Sequence, residues 1–338
     1  MKTSLKMLAM LAITLLLAAC GAGGDGGSAD NDTVIVLRMG YGNTVTNPRH
    51  LTAEKYAAWV YEQTNGRVQI ELFPSEILGN DRAMLEMLTM GTLDMTITSQ
   101  GPAAAYDERF YIIGLPFLFS STEQAGRVLD GEIGDLIAEN LPQRGMRLLA
   151  YWENGLRQIT NSVRPINEPA DMIGLSIRAP EDTMTLSIMS ALGANASPLA
   201  FPELYMALAQ GAFDGQENPI TNIHANNFWE VQDYIAIVNY KYETCPLLIS
   251  EVVWQRLPAD VQNVLKEGAI KFAAVHRDMV REGEEDMLRE LEANGMAITF
   301  PDIEPFIQAS APVNDYWRDR IGGDVVDKII AAAAAALY

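Results

Sequence analysis

Short β-branched runs alternate with helix-patterned segments through most of this chain. That alternation restricts it to an α/β architecture with a largely parallel sheet. Residues 33–38 read as a first strand, followed by the loop Met39-Gly40-Tyr41-Gly42-Asn43. Residues 51–63 carry Ala53, Tyr56, Ala57, Val60 and Tyr61 at helical spacing and stop at Asn65-Gly66. A strand at 68–72, a helix at 81–90 ended by Gly91, and a strand at 94–98 complete one βαβ series. Helices at 122–129 and 132–143 lead to a buried strand at 146–152. The alternation then repeats: strand 173–178, helix 181–192, strand 194–198, helix 202–209 stopped by Gly211, and strand 234–239. A further strand is expected at 247–252, and Pro258 opens a long helix running to about residue 293. The tail at 331–336 has strong helix propensity and no evident role. A chain of 338 residues accommodates two such α/β units.

Within the second series two arginines stand among apolar, strand-like neighbours. Arg178 is flanked by Leu175, Ile177 and Ala179, and Arg157 follows Gly155-Leu156. The chain has 24 basic residues against 44 acidic ones, a net charge of -20, so a basic residue in an apolar run calls for a specific reason. A guanidinium presents a planar fork of donors that matches a carboxylate two bonds at a time. The reading is that Arg178 and Arg157 receive a small organic acid. A protein carboxylate such as Asp171, Glu203 or Glu217 is the alternative partner. The acidity itself argues against nucleic-acid binding and against polybasic attachment to anionic lipid.

The ordered motifs Gly155-x-Arg157, Gly174-x-x-Ile177-Arg178-x-Pro180, Leu192-Gly193-Ala194, Pro198-x-x-Phe201-x-Glu203-x-Tyr205-x-Ala207-Leu208 and Asp214-Gly215-Gln216-Glu217-Asn218-Pro219 resemble the extracytoplasmic solute-binding proteins of TRAP transporters, the DctP family. The resemblance runs from about residue 35 to 310. It implies a two-lobed periplasmic-binding-protein-like α/β fold with crossing strands and a long helix spanning both lobes. Lobe I would comprise 33–154 plus 244–283, and lobe II 155–243 plus 284–338. It further implies that Arg178 makes the main salt bridge to a ligand carboxylate, that Arg157 adds a second guanidinium, that Asn218 supplies a carboxamide, and that the Phe201 ring packs on the ligand. Many relatives carry a His where this chain has Tyr240, and Tyr240-Lys241-Tyr242-Glu243 departs from the common pattern in the distal half of the pocket. Tyr and Glu groups there suit a hydroxylated acid, a sugar acid such as a hexuronate, with a C4-dicarboxylate next. The partners implied are that acid and the TRAP membrane subunits. Capture is expected by lobe closure, with lobe II binding first.

Ligands of open α/β sheets bind beyond the carboxyl ends of strands. That rule points to Asn43, Ser75-Glu76 and Ser99-Gln100. Each also serves as ordinary turn or cap chemistry. The resemblance favours positions near Asn43 and Ser99, while Glu76 suits an acid ligand only as an acceptor for a hydroxyl. The aromatic stretch 106–119 and Trp152 read as core packing.

Residues 1–19 have the form of a secretory signal, with Lys2 and Lys6 before a short apolar core. Leu17-Ala18-Ala19-Cys20 resembles a lipobox, which makes Cys20 a lipidated N-terminus, the membrane attachment a lipid anchor, and 20–32 a flexible tether. The expected location is the periplasm or outer face of the cell membrane. Cys245 is then unpaired and reads as a small buried hydrophobe. Gly21-x-Gly23-x-x-Gly26 matches a dinucleotide fingerprint but lacks the flanking strand and helix. No zinc helix, P-loop or nucleophile elbow occurs, and His50, His224 and His276 are far apart, so neither enzyme, metal nor cofactor is expected. A carbohydrate-acting enzyme and a ligand sensor feeding a receptor are the alternative functions.

Overall fold

The computed structural model describes residues 34–337. The signal, Cys20 and the tether lie outside the described residues. Ten strands occur among them: β1 (Ile35–Tyr41), β2 (Val68–Phe73), β3 (Met95–Ile97), β4 (Met146–Asn161), β5 (Ser176–Ala179), β6 (Asn195–Pro198), β7 (Gly215–Pro219), β8 (Tyr234–Ala236), β9 (Tyr242–Ser250) and β10 (Ala297–Thr299). They lie in the order β2-β1-β3-β9-β4-β7-β5-β6, with β8 also pairing β4 and β10 pairing β8. Strands β2, β1 and β3 are parallel, as are β6, β5 and β7. The two parallel sets are joined through antiparallel pairings of β9 with β3 and β4, and of β4 with β7.

The strand expected at 146–152 is only the first half of β4. The ladder continues through Glu153, Asn154 and Gly155, because a register shift between Glu153 and Gly155 absorbs one residue against β9. Gly155 has φ +124, and a Cβ there would come within 3.2 Å of Pro219. Glycine lets the strand bend at this point and go on to pair with β7. One 16-residue strand therefore belongs to both halves of the sheet. Its neighbour β9 likewise begins at Tyr242, five residues before the expected strand at 247–252.

The helices follow the expected pattern in most places. They are α1 (Pro48–Gln63), α2 (Asp81–Thr89), α3 (Gln100–Ala104), α4 (Thr122–Leu129), α5 (Glu132–Ala138), α6 (Thr183–Ala191), α7 (Leu204–Ala209), α8 (Ile220–Ala225), α9 (Glu251–Trp254), α10 (Ala259–Ala293), α11 (Glu304–Ile321) and α12 (Gly323–Ala335). Helix α10 has 35 residues and spans about 52 Å at 1.5 Å per residue. Its first half packs Leu265, Ala269 and Phe272 with Tyr56, Val60 and Trp152. Its last turn places Leu291 in a separate cluster with Leu204, Ile220 and Ile235. A single rigid element thus ties two apolar cores together. Trp152 is core, as expected, and its indole N–H donates to the Ala269 carbonyl at 3.0 Å. Cys245 is fully buried, and burial pushes its thiol pKa well up. The C-terminal tail does have a role: Val326, Ile329 and Ala333 of α12 are buried, and the Ala333 carbonyl accepts from Gln124 Nε2 at 2.7 Å. No described helix is long and apolar enough to cross a membrane.

The parallel sets point their carboxyl ends at one place. Gly42-Asn43 follows β1, Glu76 follows β2, Ser99 follows β3, Pro180 follows β5, Leu199 to Phe201 follow β6, and Asn222 lies just past β7. All of these residues line one cavity.

Candidate functional site

The cavity is a narrow cleft with about 50 Å³ of space for a solvent-sized centre. Its walls carry Asn43, Glu76, Ser99, Arg157, Arg178, Phe201 and Asn218, seven of the eight residues expected to meet a ligand. Tyr240 is the exception and corrects the reading of the distal pocket. It is fully buried behind the wall, and its hydroxyl donates to Glu217.

The two arginines differ sharply. Arg157 is 2% exposed and already holds two buried carboxylates. Its Nε and Nη2 engage both oxygens of Glu217, with Nη2 to Oε1 at 2.7 Å, and its Nη1 engages Glu243. Burial pushes its pKa down, but Glu217 and Glu243 more than reverse this and hold it above the ordinary arginine value. The alternative of a protein partner, Glu217 among those considered, therefore applies to Arg157. Its Nη2 still lies 3.4 Å from the Asn218 carboxamide oxygen at the cavity wall.

Arg178 is also 2% exposed, and no carboxylate among the described residues lies within ion-pair distance of it. Strand β5 runs between β6 and β7, so Arg178 sits in the middle of the parallel set, beside Ser197 and Gln216. Its Nε and Nη2 both donate to the Leu199 carbonyl, at 2.9 and 2.6 Å. Burial, only partly offset by the more distant Glu217, pushes its pKa down to about 10. It stays charged at neutral pH, held in a place that disfavours its charge. Phe201 lies beside it, with the guanidinium carbon 6.0 Å from the ring centroid. An apolar ring at that position keeps water away and strengthens any charge-assisted bond the arginine makes.

Residues outside the expected set also belong to the wall, Arg49, Asn222 and Asp81 among them. Arg49 is buried in the first turn of α1, where a cation opposes the helix dipole. It pairs with no described carboxylate; it donates to the carboxamide oxygens of Asn43 and of Asn154, the latter at 2.8 Å. Asn222, at the start of α8, uses its whole carboxamide. Its oxygen accepts from Asn43 at 3.0 Å and Asn47 at 3.1 Å, and its nitrogen donates to Asn154 and Asn218, both at 3.2 Å. Asp81, in the first turn of α2, accepts the Ser99 N–H at 2.9 Å, and burial raises its pKa despite that bond.

Glu76 sits in a turn where both Ser75 and Glu76 have left-handed backbone, φ 57 and 53. Non-glycine residues are held there at a cost of order 1–3 kcal/mol, the kind of strain that collects at ligand sites. Its Oε2 is buried and makes no hydrogen bond. Burial, and then the nearby Asp81 carboxylate, push its pKa up to about 8.

A family model described as bacterial extracellular solute-binding protein, family 7 (DctP), matches residues 39–319. The chain is 39% identical over 287 residues to an uncharacterized protein of Sinorhizobium fredii, covering 85% of this chain but only about half, 53%, of that one. It is 32% identical over 290 residues to the 2,3-diketo-L-gulonate-binding periplasmic protein of Escherichia coli, covering 86% of this chain and 88% of that one. The crystal structure of a sugar acid binding protein from Advenella mimigardefordensis, in complex with galactonate, superposes with a TM-score of 0.87 at 32% identity, covering 90% of this chain and 99% of that one.

The contrast between the arginines makes a prediction about the unliganded protein. Arg157→Met leaves Glu217 and Glu243 buried without their cation and should lower stability by roughly 3–5 kcal/mol. Arg178→Met removes an uncompensated buried charge and should leave the melting temperature unchanged or higher. Thermal denaturation of both variants without ligand checks this; an equal fall in both would place Arg178 among the structural ion pairs.

Proposed function

The chain belongs to the bacterial extracellular solute-binding protein family 7, the DctP-type proteins of TRAP transporters, and from that premise we propose that it captures a sugar acid for import. The observation that carries this reading is Arg178, a buried guanidinium in the cavity wall with no described carboxylate partner. A ligand carboxylate there would relieve the desolvated charge by bidentate pairing. Asn218 would orient the same end and Phe201 would cover it. Asn43 and Ser99 would line the opposite side. Arg157 would contribute chiefly by holding Glu217 and Glu243 in place, with only its Nη2 edge near the ligand. The relatives that bind galactonate and 2,3-diketo-L-gulonate support a hydroxylated acid over a plain C4-dicarboxylate.

Capture would proceed by closure of two lobes, 33–154 with 244–283 and 155–243 with 284–338. The bonds from Asn43 and Asn47 to Asn222 join residues assigned to different lobes, and they connect through Asn218 to the ligand's carboxylate end. Contacts available only when the lobes meet are what makes the closed state favourable. The loaded protein would then deliver its ligand to the TRAP membrane subunits. Attachment to the outer face of the cell membrane would come from lipid on Cys20, supported by the sequence Leu17-Ala18-Ala19-Cys20.

A thermal-shift screen against aldonates, uronates, C4-dicarboxylates, amino acids and neutral sugars tests the proposal. An acid at 100 times its dissociation constant should add ~2.7 kcal/mol, a clear rise in melting temperature. Stabilisation by neutral sugars alone would contradict it. If Asn222 is the latch, Asn222→Ala should weaken the acid by about tenfold through loss of closed-state hydrogen bonds. Small-angle scattering should then show more open protein at partial saturation. Unchanged affinity and shape would remove the latch from the account.

A further inference from the structure

Arg178 and Glu76 reach the cavity from opposite sides of the sheet. Arg178 is on β5, among the strands on one side of the β4–β9 pair, and Glu76 follows β2, the edge strand on the other side. The Glu76 carboxyl is placed with some care. Its backbone N–H donates to the Tyr41 carbonyl at 3.0 Å, and the Ser75 N–H donates to the Asn43 carbonyl at 3.0 Å, which holds the strained turn against the end of β1. Gly42 makes room for it: a Cβ at that position would lie 2.9 Å from Glu76 Oε1. One carboxyl oxygen thus sits against a glycine, and the other is buried with no partner. An unmade hydrogen bond on a buried polar atom is unfavourable, so this oxygen is an open acceptor facing the cavity.

We propose that Glu76, backed by Asp81, is the selectivity element of this cavity: it hydrogen-bonds a hydroxyl at the far end of the acid whose carboxylate sits on Arg178, and it turns away an acid with a second carboxylate at that end. The inference rests on the sugar-acid reading and adds to it which class of sugar acid is accepted. Asp81 is the second carboxyl on this side, and Glu181, just past β5, also lines the cavity with its charge acting on Glu76. Arg178 is the cation whose charge acts on Glu76, and it only partly offsets the burial and the surrounding carboxylates. Burial and the neighbouring Asp81, Glu181 and Glu203 carboxylates would act on a ligand carboxylate placed beside Glu76, and where Glu76 is itself ionised, above about pH 8, it repels that carboxylate directly. A hydroxyl meets no such penalty, since a carboxyl in either protonation state accepts from it. Selectivity here comes from a repulsive element as much as from an attractive one.

The test compares two acids that differ only at the far end: galactonate, which ends in a hydroxymethyl group, and galactarate, which ends in a second carboxylate. Dissociation constants for both are measured by calorimetry at about pH 9, where Glu76 is ionised, on the wild type, Glu76→Ala and Glu76→Lys. Taking the ratio of the two constants in each protein cancels general damage to the fold. The wild type should favour galactonate by at least about a hundredfold, Glu76→Ala should narrow that preference by about tenfold, and Glu76→Lys should narrow it further or reverse it. A preference that is the same in all three proteins overturns the assignment of Glu76 and leaves the sugar-acid reading standing. Failure of the wild type to bind any acid of the wider screen overturns both.

Discussion

Everything in this site is arranged around a buried positive charge that the protein does not neutralise. Burying an ion is expensive unless it is paired, and a protein that holds one unpaired has placed strain where a ligand can relieve it. Arg178 has hydrogen bonds to the Leu199 carbonyl but no described carboxylate within ion-pair reach. Arg157, its neighbour in the same wall, shows the other solution, with Glu217 and Glu243 closed around it. One guanidinium is paired within the protein, and the other has no carboxylate partner among the described residues. The acidic character of the chain as a whole does not conflict with this, because a desolvated local charge outweighs a screened distant one.

The fold delivers that charge to the right place through its strand ends. Two parallel sets meet across β4 and β9, and the carboxyl ends of both sets converge on the cavity. Helix α10 ties the two apolar cores together, while β4 and β9 cross between the halves of the sheet. Crossing strands beside a cavity are suited to hinge motion, since small changes in backbone angle there move whole elements. The carboxamide network around Asn222 is where such motion would be read out, because it joins the β1–α1 loop to the start of α8.

The sequence was legible where local pattern decides the outcome. Alternation of strands and helices, the long helix after Pro258, and the core positions of Trp152 and Cys245 all follow from period, propensity and hydrophobicity. The strand-end rule pointed to Asn43, Glu76 and Ser99, and the resemblance to solute-binding proteins pointed to Arg178, Phe201 and Asn218, all of which line the cavity. What sequence concealed were features that depend on distant partners. Glu153-Asn154-Gly155 has polar and glycine residues that suggest a break, yet β9 pairs on both sides of a one-residue bulge there. Tyr240 looked like a pocket residue and is instead a support for Glu217. Arg49 was detectable in principle, as a cation in a helix's first turn where the dipole disfavours it. Asn222 lies four residues after Asn218, across the turn from β7 into α8, and nothing local says that Asn43 and Asn47 will meet it.

The most direct test of the central claim is a crystal structure with a sugar acid bound. A ligand carboxylate should sit on the free edge of the Arg178 guanidinium, with Arg157 still paired to Glu217 and Glu243. A carboxylate held by Arg49 or Arg157 instead, with Arg178 bonded only to the Leu199 carbonyl, would contradict it.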